Sequence, residues 1–114
     1  MGKVAIYDYQ QEKDEYFCRL FGSNLIDLSG VDMTGKPMSL YPSTLYQLLR
    51  THYDECRFTG RPFSSTYETR AVESWNDQLS YGHKVLAEKI ILPLSRSGAG
   101  WDCFFSFVEE ITPT

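Results

Sequence analysis

At 114 residues, with 42 % hydrophobic and 23 % charged side chains, the chain has the makeup of one globular domain with room for its own core. Its net charge of −4 argues against a nucleic-acid partner, which needs clustered Lys and Arg. No apolar stretch reaches bilayer length and Met1 to Gln10 lack the apolar run of a signal peptide, so the chain is expected in the cytoplasm without a membrane partner.

Lys3 to Gln10 (KVAIYDYQ) reads as a strand, Gln11 to Asp14 as a polar turn, and Glu15 to Phe21 as a second strand. Residues 3 to 21 are therefore predicted to form an antiparallel hairpin. Gly22, Ser23 and Asn24 offer a cap to a short helix over LIDLSG, closed by Gly30. Val31 to Pro42 is loop with one turn of helix, punctuated by Gly35, Pro37 and Pro42.

The clearest helix follows, with Ser43 or Thr44 as its cap and Gly60 at its end. Leu45, Leu48, Leu49, His52 and Cys56 recur at helical spacing and make one continuous face. Arg50, Asp54, Glu55 and Arg57 lie mostly on the other side. Arg61 to Val72 is predicted as a third strand. Glu73 to Gly82 reads as a connection, with a turn at Asn76-Asp77. His83 to Ser95 and Trp101 to Ile111 are the fourth and fifth strands.

The order β-β-α-α-β-β-β predicts one α+β domain over residues 3–112. It is a five-stranded antiparallel sheet with helices packed on one face. The last hairpin then poses a question. Ile90, Ile91, Leu92, Phe104, Phe105, Phe107 and Val108 put apolar side chains on both faces of the ribbon. Helices cover the inner face only. The outer face calls for a flanking segment or a second copy of the chain. The aromatic share of 15 % suits a well-filled core or a lined cavity.

Cys18, Cys56 and Cys103 are odd in number and form no C-x-x-C pair, so reduced thiols are expected rather than a zinc ribbon or redox motif. Ile6 stands where a myristoylation start needs Ser or Thr.

YFCRLFGSNLIDLSGVDMTGKP resembles the second strand, first helix and following loop of a PAS domain. The long helix running into FTGRPFSSTYETR is similar to the PAS helix and its exit. VLAEKIILPLSRSGAGWDCFFSFVEEIT is similar to the last two PAS strands, with the Glu110-Ile111-Thr112 ending that hands over to a following segment. The resemblance spans roughly residues 4 to 112 and is greatest to short bacterial members of the family. Glu73 to Gly82, with Trp75 and Tyr81, is longer than the usual turn there. Those two aromatics are expected either in a dimer patch or tucked against the sheet edge. The chain begins almost directly on its first strand and stops just after the handover. An output domain is therefore expected on a separate protein, or severed from this one.

The resemblance implies a sensory or interaction module of bacterial signalling. It holds a small ligand, or none, between the inner sheet face and the helices, and it pairs as a homodimer through the outer face. The pocket it implies draws on Leu25, Leu28, Leu45, Leu49, His52, Ile90, Leu92, Phe105 and Phe107. Phe105 and Phe107 either line that pocket or pack under the long helix.

Haem-binding members of the family take their iron ligand from the helix that carries His52, and a neutral imidazole can serve. His52 lies about one helical turn nearer the helix exit than that ligand does. A core histidine is the plainer reading, so no cofactor is expected and haem through His52 is the alternative. His52 and Cys56 share a helix face, but two ligands make no metal site. The helix lacks the cysteine motif of flavin-binding members.

No nucleophile elbow, phosphate loop or H-E-x-x-H is written here, so no enzyme is expected. Gly98-Ala99-Gly100 precedes a strand and reads as a turn. Glu88 is either a buried acid or an outward carboxylate paired with Arg19 or Lys89. Arg19 itself reads as one half of a structural salt bridge. The competing class is a small cone-shaped α+β enzyme of isomerase or cyclase type, with Glu88 or His52 as general base. Such enzymes lead with long helices, and this chain leads with a hairpin.

Overall fold

The computed structural model describes residues 3–23, 26, 31–75, 78–95 and 100–110, of which 67–75, 78–85 and 110 are described by their backbone. The elements are β1 (Lys3–Gln10), β2 (Glu15–Phe21), a 3-10 turn (Met38–Leu40), α1 (Ser43–Thr59), β3 (Phe63–Trp75), β4 (Gln78–Leu94) and β5 (Cys103–Glu110). The five strands form one sheet in the order β2-β1-β5-β4-β3, each neighbour antiparallel. First and last strands thus meet in the middle, and β2 and β3 are the edges. The chain that joins those edges must cross the full width of the sheet, which lays α1 over one face.

β1 and β2 follow the predicted hairpin. A bulge between Ile6 and Tyr7 in the register makes Arg19 the extra residue of β2. The Thr34-Gly35 turn, with Gly35 at φ 80°, folds the next loop back on β2. There Gly35 N–H donates to the Cys18 carbonyl at 2.7 Å, and Cys18 N–H to that of Lys36 at 3.0 Å. The Ile26 N–H donates to the Gly22 carbonyl at 3.0 Å, one α-type turn where the sequence predicts a helix. Leu25, Leu28 and the rest of that helix lie outside the described residues.

α1 starts one step differently from expectation. Pro42 holds the N-cap position and Ser43 is the first helical residue, with no side-chain cap. At the other end Gly60 takes a left-handed φ of 67°, and its N–H returns to the Cys56 carbonyl at 2.9 Å. A Cβ at Gly60 would run into the Trp101 indole, so glycine is required there twice over.

The main correction concerns Glu73 to Gly82. It is no loose connection: β3 runs on to Trp75, β4 resumes at Gln78, and Val72 pairs with Tyr81. Thr, Val, Trp, Tyr and Leu residues carry enough strand propensity to extend the ladder as far as the Trp75–Gln78 pair. Since β4 meets β5 only from Ala87 to Leu94, the far part of this ribbon extends past the sheet as two strands. The side chains of Trp75 and Tyr81 lie outside the described ones.

The core sits between the sheet and α1. Tyr7, Tyr16, Tyr53 and Phe104 stack there with ring centroids 5.2 to 6.0 Å apart. Met33 and Met38 are fully buried beside them. Tyr16 Oη donates to Asp54 Oδ1 at 2.7 Å and accepts from Arg57 Nε at 3.1 Å, which pins the helix over β2. No helix among the described residues is long and apolar enough to cross a membrane.

Candidate functional site

Register fixes which side chains share a face. Lys89 pairs with Val108, Ile91 with Ser106, and Tyr7 with Phe104. All six are buried under α1, and so is Ala87. This is the inner face. Ile90 pairs with Phe107, and Leu92 with Phe105, which also lies opposite Ile6. That set makes the outer face.

The inner face has two unlike halves. Towards β2 it is filled by the tyrosine and methionine cluster. Towards β4 it carries polar heads. Lys89 is 1 % exposed, Ser106 1 % and His52 6 %. Lys89 Nζ stands 5.3 Å from the centroid of the Tyr53 ring, a cation–π geometry. Burial pushes the Lys89 ammonium down to about 7. Burial first, and the Lys89 charge second, push the His52 imidazole down to about 4, so it is neutral at ordinary pH. The Ser106 hydroxyl meets no hydrogen-bond partner among the described residues.

Of the pocket residues expected from sequence, Leu45 and His52 are buried beneath α1, and Leu49 packs at the edge of the core. Leu25 and Leu28 lie outside the described residues. Ile90, Leu92, Phe105 and Phe107 are placed on the wrong face by that expectation. They lie opposite α1, with Ile90 42 % and Phe107 40 % exposed, and the Phe105 and Phe107 rings pack 5.0 Å apart on that side. The period of two was legible but its phase was not, because the more apolar face of the last hairpin is the outer one. Lys89, Ser106 and Tyr53 were missed as site residues. The signal for Lys89 was present: it stands in phase with Ala87 and Ile91, both buried.

Glu88 is exposed on the outer face opposite Thr66 and Glu109, where it cannot serve as a buried general base. Neither suggested partner reaches it in this arrangement. Lys89 faces the other way, and Arg19 forms its salt bridge with Asp8, Nε donating at 2.8 Å. The three cysteines are buried thiols, and burial pushes Cys18 up to about 12 and Cys56 to about 11. His52, the position raised for a haem iron, is buried against an aromatic ring. The Phe63 ring packs 4.9 Å from the imidazole. Among the described residues no three His, Cys, Asp or Glu side chains gather to hold a metal ion.

No protein-family model matches the sequence, and no curated protein matches it. By structure, a sensory box sensor histidine kinase from Vibrio cholerae is similar, with a TM-score of 0.71 at 13 % identity over 99 % of this chain and 84 % of that one. The likeness, together with the five-stranded antiparallel sheet crossed by α1, defines a PAS-like α+β fold.

Proposed function

We propose that this chain is a sensory and interaction module of bacterial signalling, cytoplasmic and without catalysis of its own. It takes a small ligand between α1 and the inner sheet face, pairs with a second copy through the outer face, and reports to an output partner through its terminal segments. The observation that carries this reading is the division of the sheet. One face holds buried polar heads beneath a helix, and the other is apolar and open. Apolar area left open at this scale favours a protein partner. The fold shared with a sensory box kinase agrees with a signalling role. Ligand control would act as a population shift: a ligand that prefers one packing of α1 on the sheet favours that packing.

Native mass spectrometry of freshly expressed protein tests both halves. The expected result is a dimer carrying added small-molecule mass. A bare monomer would overturn the reading.

A further inference from the structure

The strand register carries the outer face past the end of the sheet and onto the long β3–β4 ribbon. Cross-strand partners share a face, so each pair belongs to one side. Glu88 is exposed on the outer face, opposite Thr66 on β3 and Glu109 on β5. Two positions along, Leu86 pairs with Glu68, and two further on Lys84 pairs with Arg70. Between Arg70 and Val72 the register shifts, and Gly82 and His83 of β4 stand against Ala71 alone. β3 keeps its period through this bulge, so Val72 falls on the outer face together with its partner Tyr81. The extra residue in β4 is what brings Tyr81, an odd-numbered position, to the face of Leu86, Glu88 and Ile90.

Along the strands the outer rows therefore run Ile90 with Phe107, Glu88 with Glu109, Leu86 with Glu68, Lys84 with Arg70, and Tyr81 with Val72. Two of these rows set like charges directly opposite one another, an arrangement that costs a sheet stability. One row is acidic and the other basic. Lys3 Nζ reaches Glu109 Oε2 at 3.8 Å, and Glu68 shares the face with the basic row. Counted with those neighbours, the two rows still keep opposite net charge. Leu86, 39 % exposed, lies midway between them. The sequence of rows is apolar, acidic, Leu86, basic, apolar, and it complements itself when reversed.

We propose that a second copy of this chain docks on this face with its strands reversed, about a two-fold axis lying in the interface across the Leu86 row. The Glu88–Glu109 row of each copy then meets the Arg70–Lys84 row of the other, and the Ile90–Phe107 row meets the Val72–Tyr81 row. This rests on the pairing half of the proposed function and fixes its register. Strands laid in the same sense would set acid on acid and base on base, so charge selects the reversed arrangement. Two strands alone are marginally stable in water, and a second sheet against this face gives the ribbon a layer to pack on.

Analytical ultracentrifugation of the full chain tests the register by exchanging charges. Glu88→Lys with Glu109→Lys should raise the dimer dissociation constant at least about a hundredfold, and Arg70→Glu with Lys84→Glu should do the same. Mixing the two variants should restore association to within about threefold of the wild type, because each row then meets its opposite again. Circular dichroism shows whether a variant folds. Where a double variant does not, Glu88→Lys is mixed with Lys84→Glu and the same rescue decides. Double variants that dimerise like the wild type, or folded variants that stay apart when mixed, overturn the inference. A dimer that ignores these charges but separates with Ile90→Glu and Phe107→Glu removes this register and leaves the pairing reading standing. A wild-type chain that is monomeric at every concentration removes both.

Discussion

The inner and outer faces of the sheet differ less in how apolar they are than in what their apolar residues surround. On the inner face, Tyr7, Phe104 and Ile91 enclose Lys89, Ser106 and His52. On the outer face, Ile90 and Phe107 lie open beside a half-buried Phe105, and Glu88, Glu109 and the Asp8–Arg19 pair bring charge. Composition alone would have put the last hairpin's phenylalanines inward.

The largest effect separates neighbours on β5. Phe104→Ala should cost about 3–5 kcal/mol in a denaturant melt, as an inner-face cavity does. Phe107→Ala, on the opposite face of the strand, should cost less than about 1 kcal/mol in the same melt at high dilution. Equal costs would break the division of faces.

Lys89 gives the next contrast. Folding lowers its pKa from 10.5 to about 7, so between those values the unfolded chain holds the extra proton. Stability therefore rises as pH climbs from about 7 towards 10.5. Lys89→Met should remove that rise and gain on the order of a few kcal/mol at pH 7 and below. A variant that keeps the wild-type pH slope would place Lys89 in solvent.

On the other face, Ile90→Glu with Phe107→Glu should turn a dimer into a monomer by light scattering while changing monomer stability by under about 1 kcal/mol. An unchanged dimer would move the pairing surface elsewhere. The smallest effect belongs to the exposed ion pair. Asp8→Asn should change stability by about 0–1 kcal/mol, a loss that salt diminishes.

Much of the fold was legible because strand and helix periods are local properties. β1, β2 and α1 match the sequence reading closely, and Gly60 marks the helix end as expected. The long ribbon was not legible at its tip, because Glu73, Ser74, Asn76, Asp77, Gln78 and Ser80 read as loop by polarity. That stretch carries no regular apolar alternation, so polarity hid the ladder there. The site was half legible. Leu45, Leu49 and His52 share a helical stripe that points at the sheet. The β4 and β5 contributions came out in the opposite phase, since hydrophobicity orders faces only when burial is the sole demand on them. Lys89 entered the sequence reading only as a partner for Glu88, since lysines are rarely buried.

Ile90 and Ile91 are adjacent in sequence and report on opposite faces, which makes their δ1-methyl NMR signals the most direct measurement. Dilution through the pairing equilibrium should shift Ile90 and leave Ile91 in place. Ile91 following dilution while Ile90 stays still would contradict the division of faces.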